Sequence, residues 1–514
     1  MIILNYYMED YHMSIPFKGD PNRFNQRLLF PPNIFDLLPK NHDCFVYDTI
    51  FQQLDISSIE GKYSYIGQRV FDHRLVVGIL IYAYTHGVFS SRQIEKRCRE
   101  DIGFVHISHM NCPNFRVLSD FRKNNPEFLK QCFIQSALMA KLLGMVSFGH
   151  VSLDGSKFKA NTSKHKAMSY EYLNLKEAEL VNEIKELMAQ AEQCDQVEDE
   201  QLQDKAGFDI PEELKFKEKR LENVRAAKAA LEKRESELNP GKKIDGKKQI
   251  SFADEEARIM GKKGHYEYSY NGQISVDAKN QIIVGQHVSQ KANDKQEVEP
   301  ALKQIQETMG ELPDQMTMDN GYLSGANLEG LGQTPVDAYV ATNREDKKDV
   351  RSVEECNREI KKPDFEYDNE KDCFTCPGGQ TLELKREAED GNRVYQATRE
   401  ACEQCAYRPR CCKSEKGEPR TINTDDKEPL RREMVDKMNQ ESSKEVYKKR
   451  KVIVEPVFGQ IKNSGFRGFL LRGYEKVGGE FSLVCAGHNF KKIVKAVLSG
   501  EVRLEAREME PVMA

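Results

Sequence analysis

The chain lacks any apolar run that approaches the ~20 residues a helix needs to cross a bilayer. Its first residues, MIILNYYMEDYHM, lack the basic region of a secretory signal and carry acidic residues early. The chain also has no overall excess of positive charge, because its formal net charge is -5 at pH 7. We therefore expect a soluble cytoplasmic protein without a membrane partner, and not a chain that is basic throughout.

Charge is distributed unevenly along the 514 residues, a length that favours about two to four domains. Between Lys444 and Lys476, nine Lys or Arg residues stand against three Asp or Glu residues. The middle of the chain is acidic by comparison. Such an asymmetry suits a protein that contacts DNA along one face.

Residues 1–147 are predicted to be helical. The segment 73–87 is apolar nearly all round, as in a buried helix, and Gly87 ends it. Ser90 and Gln93 then stand at the spacing of a capping box for the next helix. Short helices with tight turns are compatible with a plain helical bundle and with a helix-turn-helix that reads DNA, and the pattern does not decide between them.

Residues 170–240 form a segment rich in Glu and Lys with apolar residues at heptad spacing. The repeating positions are Leu173, Leu180 and Leu187 on a first arm and Leu214, Leu221, Val224 and Leu231 on a second. A Gly/Pro break at 207–211 separates the arms. The pattern predicts a helical hairpin, and about three heptads on each arm favour a solvated insertion over a dimerising coiled coil.

Strand signals flank this segment on both sides. HVSLD (150–154) is a short apolar run that ends at an acid, residues 265–290 predict a β-hairpin, and two more strands are predicted at 315–319 and 338–342. Helical segments lie between and after these strands, at 441–463 and 481–498 among others. The order predicts a mixed α/β sheet with helices packed on it.

Three acidic residues stand at the borders of these elements: Asp154 and Asp319 where apolar runs stop, and Glu455 in a basic helical stretch near a helix start signalled by Pro456. Carboxylates that converge can bind Mg²⁺, and a pair of such ions clamps the two reacting oxygens of a phosphoryl displacement. Each acid also has a structural alternative. These are a basic surface loop, a turn beside Asn-Gly and an ordinary helix face.

Cationic side chains accompany these acids and are expected to hold DNA phosphates. They are Lys157 and Lys159 after the first acid, and Arg450, Lys451 and Lys462 around the third, together with Tyr447. Lys462 follows Glu455 by seven residues and shares its helix face. Asp294, which precedes a predicted helix, is interpreted as a helix N-cap, with a supporting role in the site as the alternative.

Six of the thirteen cysteines lie within residues 373–412. Cys373 and Cys376 form one C-x2-C pair and Cys402 and Cys405 form another, and 25 residues lie between Cys376 and Cys402. Two such pairs predict a closed tetrahedral Zn–S₄ site with a structural role. Free thiols remain the alternative, because the loop between the pairs is longer than the usual spacing.

Several ordered blocks resemble bacterial insertion-sequence transposases of the DDE class. The blocks are DHRLVVGILIYAYTHGVFSSRQIEKRCREDIGF, NFRVLSDFRKNN, DGSK at 154–157, NGQISVDAKNQIIV, QKANDKQEVEP, MDNGYLSGANL, VEPVFGQIK and FRGFLLRGYEKV. The family signature places Tyr, Arg, Glu and Lys at intervals of two, three and six residues. Here Tyr447, Arg450, Glu455 and Lys462 keep the first and last intervals, and the middle one is a residue longer unless Lys451 takes the place of the arginine.

The resemblance implies an RNase H-like α/β fold, a mixed sheet with helices on both faces. The expected parts are an all-α DNA-binding domain at 1–147, a first catalytic part at 148–344 with a helical insert at 170–240, a cysteine-rich, zinc-ribbon-like insert at 345–440, a last catalytic part at 441–500 and a tail at 501–514. Asp154, Asp319 and Glu455 would bind two Mg²⁺ or Mn²⁺ ions.

The same resemblance implies what the protein does. It would cut the phosphodiester at each end of a mobile element, and the freed 3′-hydroxyl would then attack target DNA at the same site. The expected partners are terminal inverted repeats, target DNA and a second copy of the chain, in the nucleoid of a bacterium. The alternatives are a transposase-derived DNA-binding protein without catalysis and a metal-dependent endonuclease that does not join strands.

Overall fold

The computed structural model describes residues 33–61, 70–162, 167–199, 212–262, 265–342, 358–388, 391–414 and 417–504. The expected tail from residue 505 and the Gly/Pro break of the helical hairpin lie outside these ranges. Residues 33–42 belong to a separate unit, in which a 3-10 helix spans Ile34–Leu37 and the Asn33 side chain caps it. None of the described helices is both long and apolar enough to span a membrane.

The N-terminal region is helical, as predicted. Its described helices are α1 (Asp43–Phe51), α2 (Ser57–Glu60), α3 (His73–Thr85), α4 (Ser91–Glu100), α5 (Ile102–Ile107), α6 (Phe115–Asn124) and α7 (Pro126–Leu142). Helix α3 is buried almost throughout, and Gly87 follows it with a φ of 73°. The predicted capping box is wrong, because the side chain of Ser90 makes no capping hydrogen bond to α4.

The central region contains a mixed sheet and a long helical hairpin. Its elements are β1 (His150–Lys159), β2 (Ala167–Ser169), α8 (Tyr170–Asp199), α9 (Glu212–Leu238), β3 (Gln249–Ser251), β4 (Arg258–Lys262), β5 (His265–Asp277), β6 (Ile283–Ser289), α10 (Val298–Met309), β7 (Gln315–Met318), α11 (Gly325–Gly332) and β8 (Asp337–Val340). The predicted hairpin of helices is confirmed by α8 and α9, which share a small core with β3.

The main sheet has the strand order β4-β5-β1-β7-β8, and β6 also pairs with β5. Strand β1 is antiparallel to β5 and parallel to β7, and β7 is parallel to β8. The mixed α/β sheet expected from the sequence is therefore present. One detail is wrong: β1 does not stop at Asp154 but continues to Lys159, because β5 supplies hydrogen-bonding partners along its whole length.

The cysteine-rich region has a sheet and a core of its own. Its elements are β9 (Glu366–Asp368), β10 (Cys373–Thr375), β11 (Thr381–Glu387), β12 (Arg393–Gln396), α12 (Arg399–Glu403), α13 (Arg408–Cys411) and β13 (Thr421–Thr424). The five strands pair in sequence order and are all antiparallel. Phe365, Phe374 and Tyr395 are the largest buried side chains of the core between this sheet and the short helices.

Five helices end the described chain: α14 (Glu428–Asn439), α15 (Glu441–Lys448), α16 (Arg450–Ile453), α17 (Glu455–Asn463) and α18 (Tyr474–Leu498). The helical stretch predicted at 441–463 is thus three short helices. Helix α18 begins at Tyr474, earlier than predicted, and packs against α3, α7 and β6. The N-terminal helices are therefore joined to the sheet through α18.

Candidate active site

Two of the predicted acids lie on neighbouring parallel strands. Ser152 on β1 pairs with Thr317 on β7, and their hydroxyl oxygens are 2.7 Å apart. Asp154 and Asp319 each follow this pair by two residues, so the same register brings them side by side on strands roughly 4.8 Å apart. Asp319 immediately follows β7, and its Oδ1 accepts a 2.8 Å hydrogen bond from the backbone N–H of Gly321.

The third acid reaches this pair through Arg450. The Nη2 of Arg450 lies 3.0 Å from Oδ2 of Asp154, and Nη1 donates to Oε1 of Glu455 at 3.2 Å. The guanidinium is buried, and its Nε has no hydrogen-bond partner. Lys451 is exposed instead. Arg450 rather than Lys451 therefore faces the acids.

Breaks between the short helices explain how Arg450 reaches Glu455 despite the longer interval. Helix α15 ends at Lys448, α16 covers only Arg450–Ile453, and α17 begins at Glu455. Pro456 occupies the first turn of α17, as the sequence predicts, where its missing N–H costs no helical hydrogen bond. The extra residue between Arg450 and Glu455 is accommodated at these breaks. The guanidinium of Arg450 therefore still contacts the carboxylates of Asp154 and Glu455.

The electrostatics of the site are those of crowded, incompletely neutralised carboxylates. Burial raises the pKa of Asp154 to about 6, against the opposing effect of Arg450, and the charge of Asp319 raises it further. Burial also raises the pKa of Tyr447, near the end of α15. Burial alone would lower the pKa of Arg450, but Asp154 and the neighbouring acids raise it. Additional positive charge at this place would stabilise the ionised acids.

The three acids are of the ligand type that a hard divalent cation prefers, but Arg450 lies between two of them. Within the described ranges, no three His, Cys, Asp or Glu side chains are placed so that they hold a metal ion. Asp154 and Glu455 both contact the buried guanidinium of Arg450, the charge of Asp319 also acts on it, and Glu455 keeps a side-chain exposure of 51%. Oxygen ligands of this kind are those that Mg²⁺ and Mn²⁺ use.

A second cation approaches the site from α17. The Nζ of Lys462 donates to Oγ of Ser156 at 2.6 Å and lies 5.6 Å from the ring centre of Phe158 and 5.9 Å from that of Phe458. Ser156 is two residues from Asp154, on the same face of β1. Helix α17 thus places Lys462 next to Ser156, two residues from Asp154.

Lys157 and Lys159 on β1 are exposed and lie on the other face of the strand from Asp154. Lys159 also lines a pocket of about 460 Å³ together with Arg467 and Arg472. The sequence interpretation missed both arginines. The basic composition of residues 444–476 could have pointed to these arginines. Only the parallel bridge between Lys159 and Gly468, however, shows that they lie next to Lys159.

Asp294 is a member of this region, and its interpretation as a helix N-cap is wrong. Helix α10 begins at Val298 with Glu297 at its N-cap position. The Oδ1 of Asp294 instead accepts hydrogen bonds from Nδ2 of Asn271 at 2.8 Å and from Nε2 of Gln273 at 2.6 Å. Both amides project from β5, so no local pattern around Asp294 could have revealed them.

The cysteines do not form the predicted set of four. Cys373 is buried in β10 and, by strand alternation, faces away from Phe374 and the core. The other thiols of the region share one cavity next to that core: Cys376, Cys402, Cys405, Cys411 and Cys412. A set that contains Cys373 is therefore not brought together.

Two protein families match parts of the chain. Residues 375–494 match a family described as "Transposase DDE domain", and residues 32–124 match one described as "Transposase domain (DUF772)". The first match contains Arg450, Glu455 and Lys462, whereas Asp154 and Asp319 lie outside both matches. No curated protein and no solved structure matches the chain.

Proposed function

The two matches indicate an insertion-sequence transposase of the DDE class, and from this premise we propose that Asp154, Asp319 and Glu455 form one metal-dependent catalytic site that cuts and joins DNA. The observation that carries the proposal is the bridge from Arg450 to both Asp154 and Glu455. It links an acid outside the matched segments to one inside them. The parallel register of β1 and β7 adds Asp319.

The arrangement of the sheet supports an RNase H-like core. One acid lies on the central strand β1, one follows its parallel neighbour β7, and one begins a helix. We further propose that the N-terminal helices recognise the terminal inverted repeats, that α8 and α9 form an insert in this core, and that two copies of the chain bring the two DNA ends together.

The proposed chemistry is in-line displacement at phosphorus. When bound, two Mg²⁺ or Mn²⁺ ions would activate the attacking oxygen and stabilise the leaving oxygen. The three carboxylates would hold these ions. The planar guanidinium of Arg450 can bind two phosphate oxygens at once. On binding DNA, Arg450 would give up its contact with one carboxylate and contact a phosphate of the backbone instead. Lys462 lies beside Ser156 and would hold a phosphate near Asp154.

Other cations are proposed to bind DNA phosphates outside the site itself. Lys157 and Lys159 are exposed on β1, and Arg467 and Arg472 line the pocket next to Lys159. Tyr447 and the exposed Lys451 lie on the two sides of Arg450 in sequence. Binding to phosphates through such residues should weaken steeply as the salt concentration rises.

The test is cleavage and joining of a labelled DNA that carries the element's own ends, with Mg²⁺ and with EDTA. Asp154→Asn, Asp319→Asn and Glu455→Gln should each abolish both steps without loss of DNA binding. Glu445→Gln, an exposed acid on the neighbouring helix α15, serves as the matched control. If the wild-type chain binds the ends but never cuts, a DNA-binding protein without catalysis is the better account; cutting without joining would favour the endonuclease.

A structural zinc ion is proposed for the cysteine-rich region, with a revised set of ligands. Of the five thiols around one cavity, Cys402 has a pKa that burial, together with Cys412, Cys376 and Cys405, raises to about 11, although the described thiols do not form a closed ligand set. A bound Zn²⁺ would reverse this effect by holding thiolates. Zinc content should be about one ion per chain, should fall in Cys405→Ser and should persist in Cys373→Ser. A metal-free wild-type protein would favour free thiols.

A further inference from the structure

Asp294 is the centre of a polar network that connects three elements of the proposed site. Its Oδ1 accepts from Asn271 and Gln273 on β5, and Oε1 of Gln273 accepts from the hydroxyl of Tyr322. Tyr322 is fully buried and ends the 3-10 turn that follows Asp319. The network therefore runs from β5 to the turn that carries the second acid.

Two glycines allow Asp294 to come close to the backbone beside the acids. A Cβ added to Gly155 would first meet Nε2 of Gln273 and would lie 3.0 Å from Oδ1 of Asp294. A Cβ added to Gly321 would lie 2.9 Å from Oδ1 of Asp319 and 3.1 Å from Oδ2 of Asp294. Gly155 directly follows Asp154, and Gly321 donates its N–H to Asp319. The carboxylate of Asp294 thus fits between the backbone segments that hold the first two acids.

The peptide of Asp294 is attached to the same turn. The Nδ2 of Asn327 donates to the carbonyl of Asp294 at 3.1 Å and to that of Tyr322 at 2.8 Å. The hydroxyl of Ser324 donates to the carbonyl of Lys295 at 2.5 Å. The main chain of Asp294 is therefore attached to the segment after Asp319 and its side chain to β5, and together these contacts hold the carboxylate in place.

We propose that Asp294 is a positioning residue that sets the separation of Asp154 and Asp319 through Gly155 and Gly321. This inference rests on the proposed function, because it takes those two acids as metal ligands. Asp294 acts as a hydrogen-bond acceptor and spacer, not as a ligand. Outer partners that orient ligands typically change metal affinity about 10- to 100-fold when they are removed.

The test measures Mn²⁺ affinity, without DNA, from the electron paramagnetic resonance signal of the free ion. Asp294→Ala should weaken binding about 10- to 100-fold. Asp294→Asn, which keeps an oxygen acceptor for both amides, should stay within about threefold of wild type, as should Glu299→Ala, an exposed acid near the start of α10. Circular dichroism at the same temperature confirms that each variant is folded.

A second pair of variants covers the case in which Asp294→Ala does not fold. Gly321→Ala places a methyl group against Asp294 and Asp319 and should weaken Mn²⁺ binding, whereas Gly332→Ala, with no atom within 4 Å of the new Cβ, should not. Wild-type affinity in Asp294→Ala or in Gly321→Ala would overturn the proposal. Equal losses in Asp294→Asn and Asp294→Ala would also overturn it, because charge rather than position would then matter.

The proposed function fails in a different way. In that case the wild-type chain would bind no Mn²⁺, or Asp154→Asn would bind it as well as wild type. Neither result resembles a selective effect of the substitutions at Asp294 and Gly321.

Discussion

Two buried arginines of this protein pair with carboxylates in opposite ways. Arg122 on α6 and Glu480 on α18 are both buried, and the hydroxyl of Tyr84 lies between them. Both oxygens of Glu480 are occupied, because Oε1 accepts from Tyr84 and Oε2 accepts from two backbone N–H groups at 2.9 Å. Arg450 also bridges acids, but the side chain of Glu455 is half-exposed.

The comparison indicates that the Arg122–Glu480 pair has a structural role, whereas the acids around Arg450 are available for a functional one. A buried carboxylate whose oxygens are all satisfied by the protein has nothing left to bind and serves to join elements, here the N-terminal helices and α18. The acids around Arg450 repel one another and keep access to solvent. Groups in such a state are suited to a ligand that supplies positive charge.

The largest effect on stability is expected at the structural pair. Glu480→Leu leaves Arg122 buried without a carboxylate and should lower the free energy of unfolding by about 3–5 kcal/mol. Glu475→Gln, on an exposed position of the same helix, should change it by less than about 0.5 kcal/mol. Urea denaturation measures both. A loss below about 1 kcal/mol in Glu480→Leu would mean that the pair is not the junction described.

A pH-dependent effect is expected nearby on α18. Burial lowers the pKa of His488 to about 4, and its Nε2 lies 2.8 Å from the carbonyl oxygen of Gln281. Because the folded pKa lies below the ordinary value of 6.5, the stabilisation is present above pH 6.5 and is lost as the pH falls towards 4. Relative to His488→Gln, wild type should lose up to about 3 kcal/mol over this window. Parallel stability curves would contradict the assignment.

The smallest effect on stability, but a large one on activity, is expected at Arg450. Arg450→Met should lower the free energy of unfolding by only about 1–2 kcal/mol, because its carboxylates can be protonated or hydrated. Cleavage in a single turnover should fall about 100-fold, equivalent to about 2.7 kcal/mol. Arg450→Lys should recover part of the rate, since it keeps charge but not the planar fork. A stability loss as large as that of Glu480→Leu would remove the contrast between the two arginines.

The sequence was most informative where local chemistry decides structure. Pro456 placed Glu455 at a helix start, as the structure has it, and the apolar run before Asp319 placed that acid at the end of a strand, one residue beyond the end that the structure shows. The heptads of α8 and α9 likewise predicted their hairpin. In each case, neighbours along the chain carried the information.

Prediction failed where distant segments determine the outcome. The polar residues after Asp154 gave no strand signal, so the second half of β1 was not predicted. It forms because β5 pairs with it. The place of Asp294 before α10 suggested a helix cap, whereas its amide partners lie far away in sequence on β5. The spacing of the cysteines suggested Cys373 as a ligand, whereas the pleat of β10 turns it away from the other thiols. All three errors depend on the pairing or orientation of strands, which no local spacing reports.

Cleavage of the chain itself by bound Fe²⁺ tests most directly whether the three acids form one metal site. Ascorbate and peroxide convert the ion into a source of hydroxyl radicals that cut the nearest backbone. We expect cuts near Asp154, Asp319 and Glu455 in the same sample, all suppressed by excess Mg²⁺ and by Asp154→Asn. Cuts near only one acid, or cuts that persist in Asp154→Asn, would show that the three acids do not form one metal site.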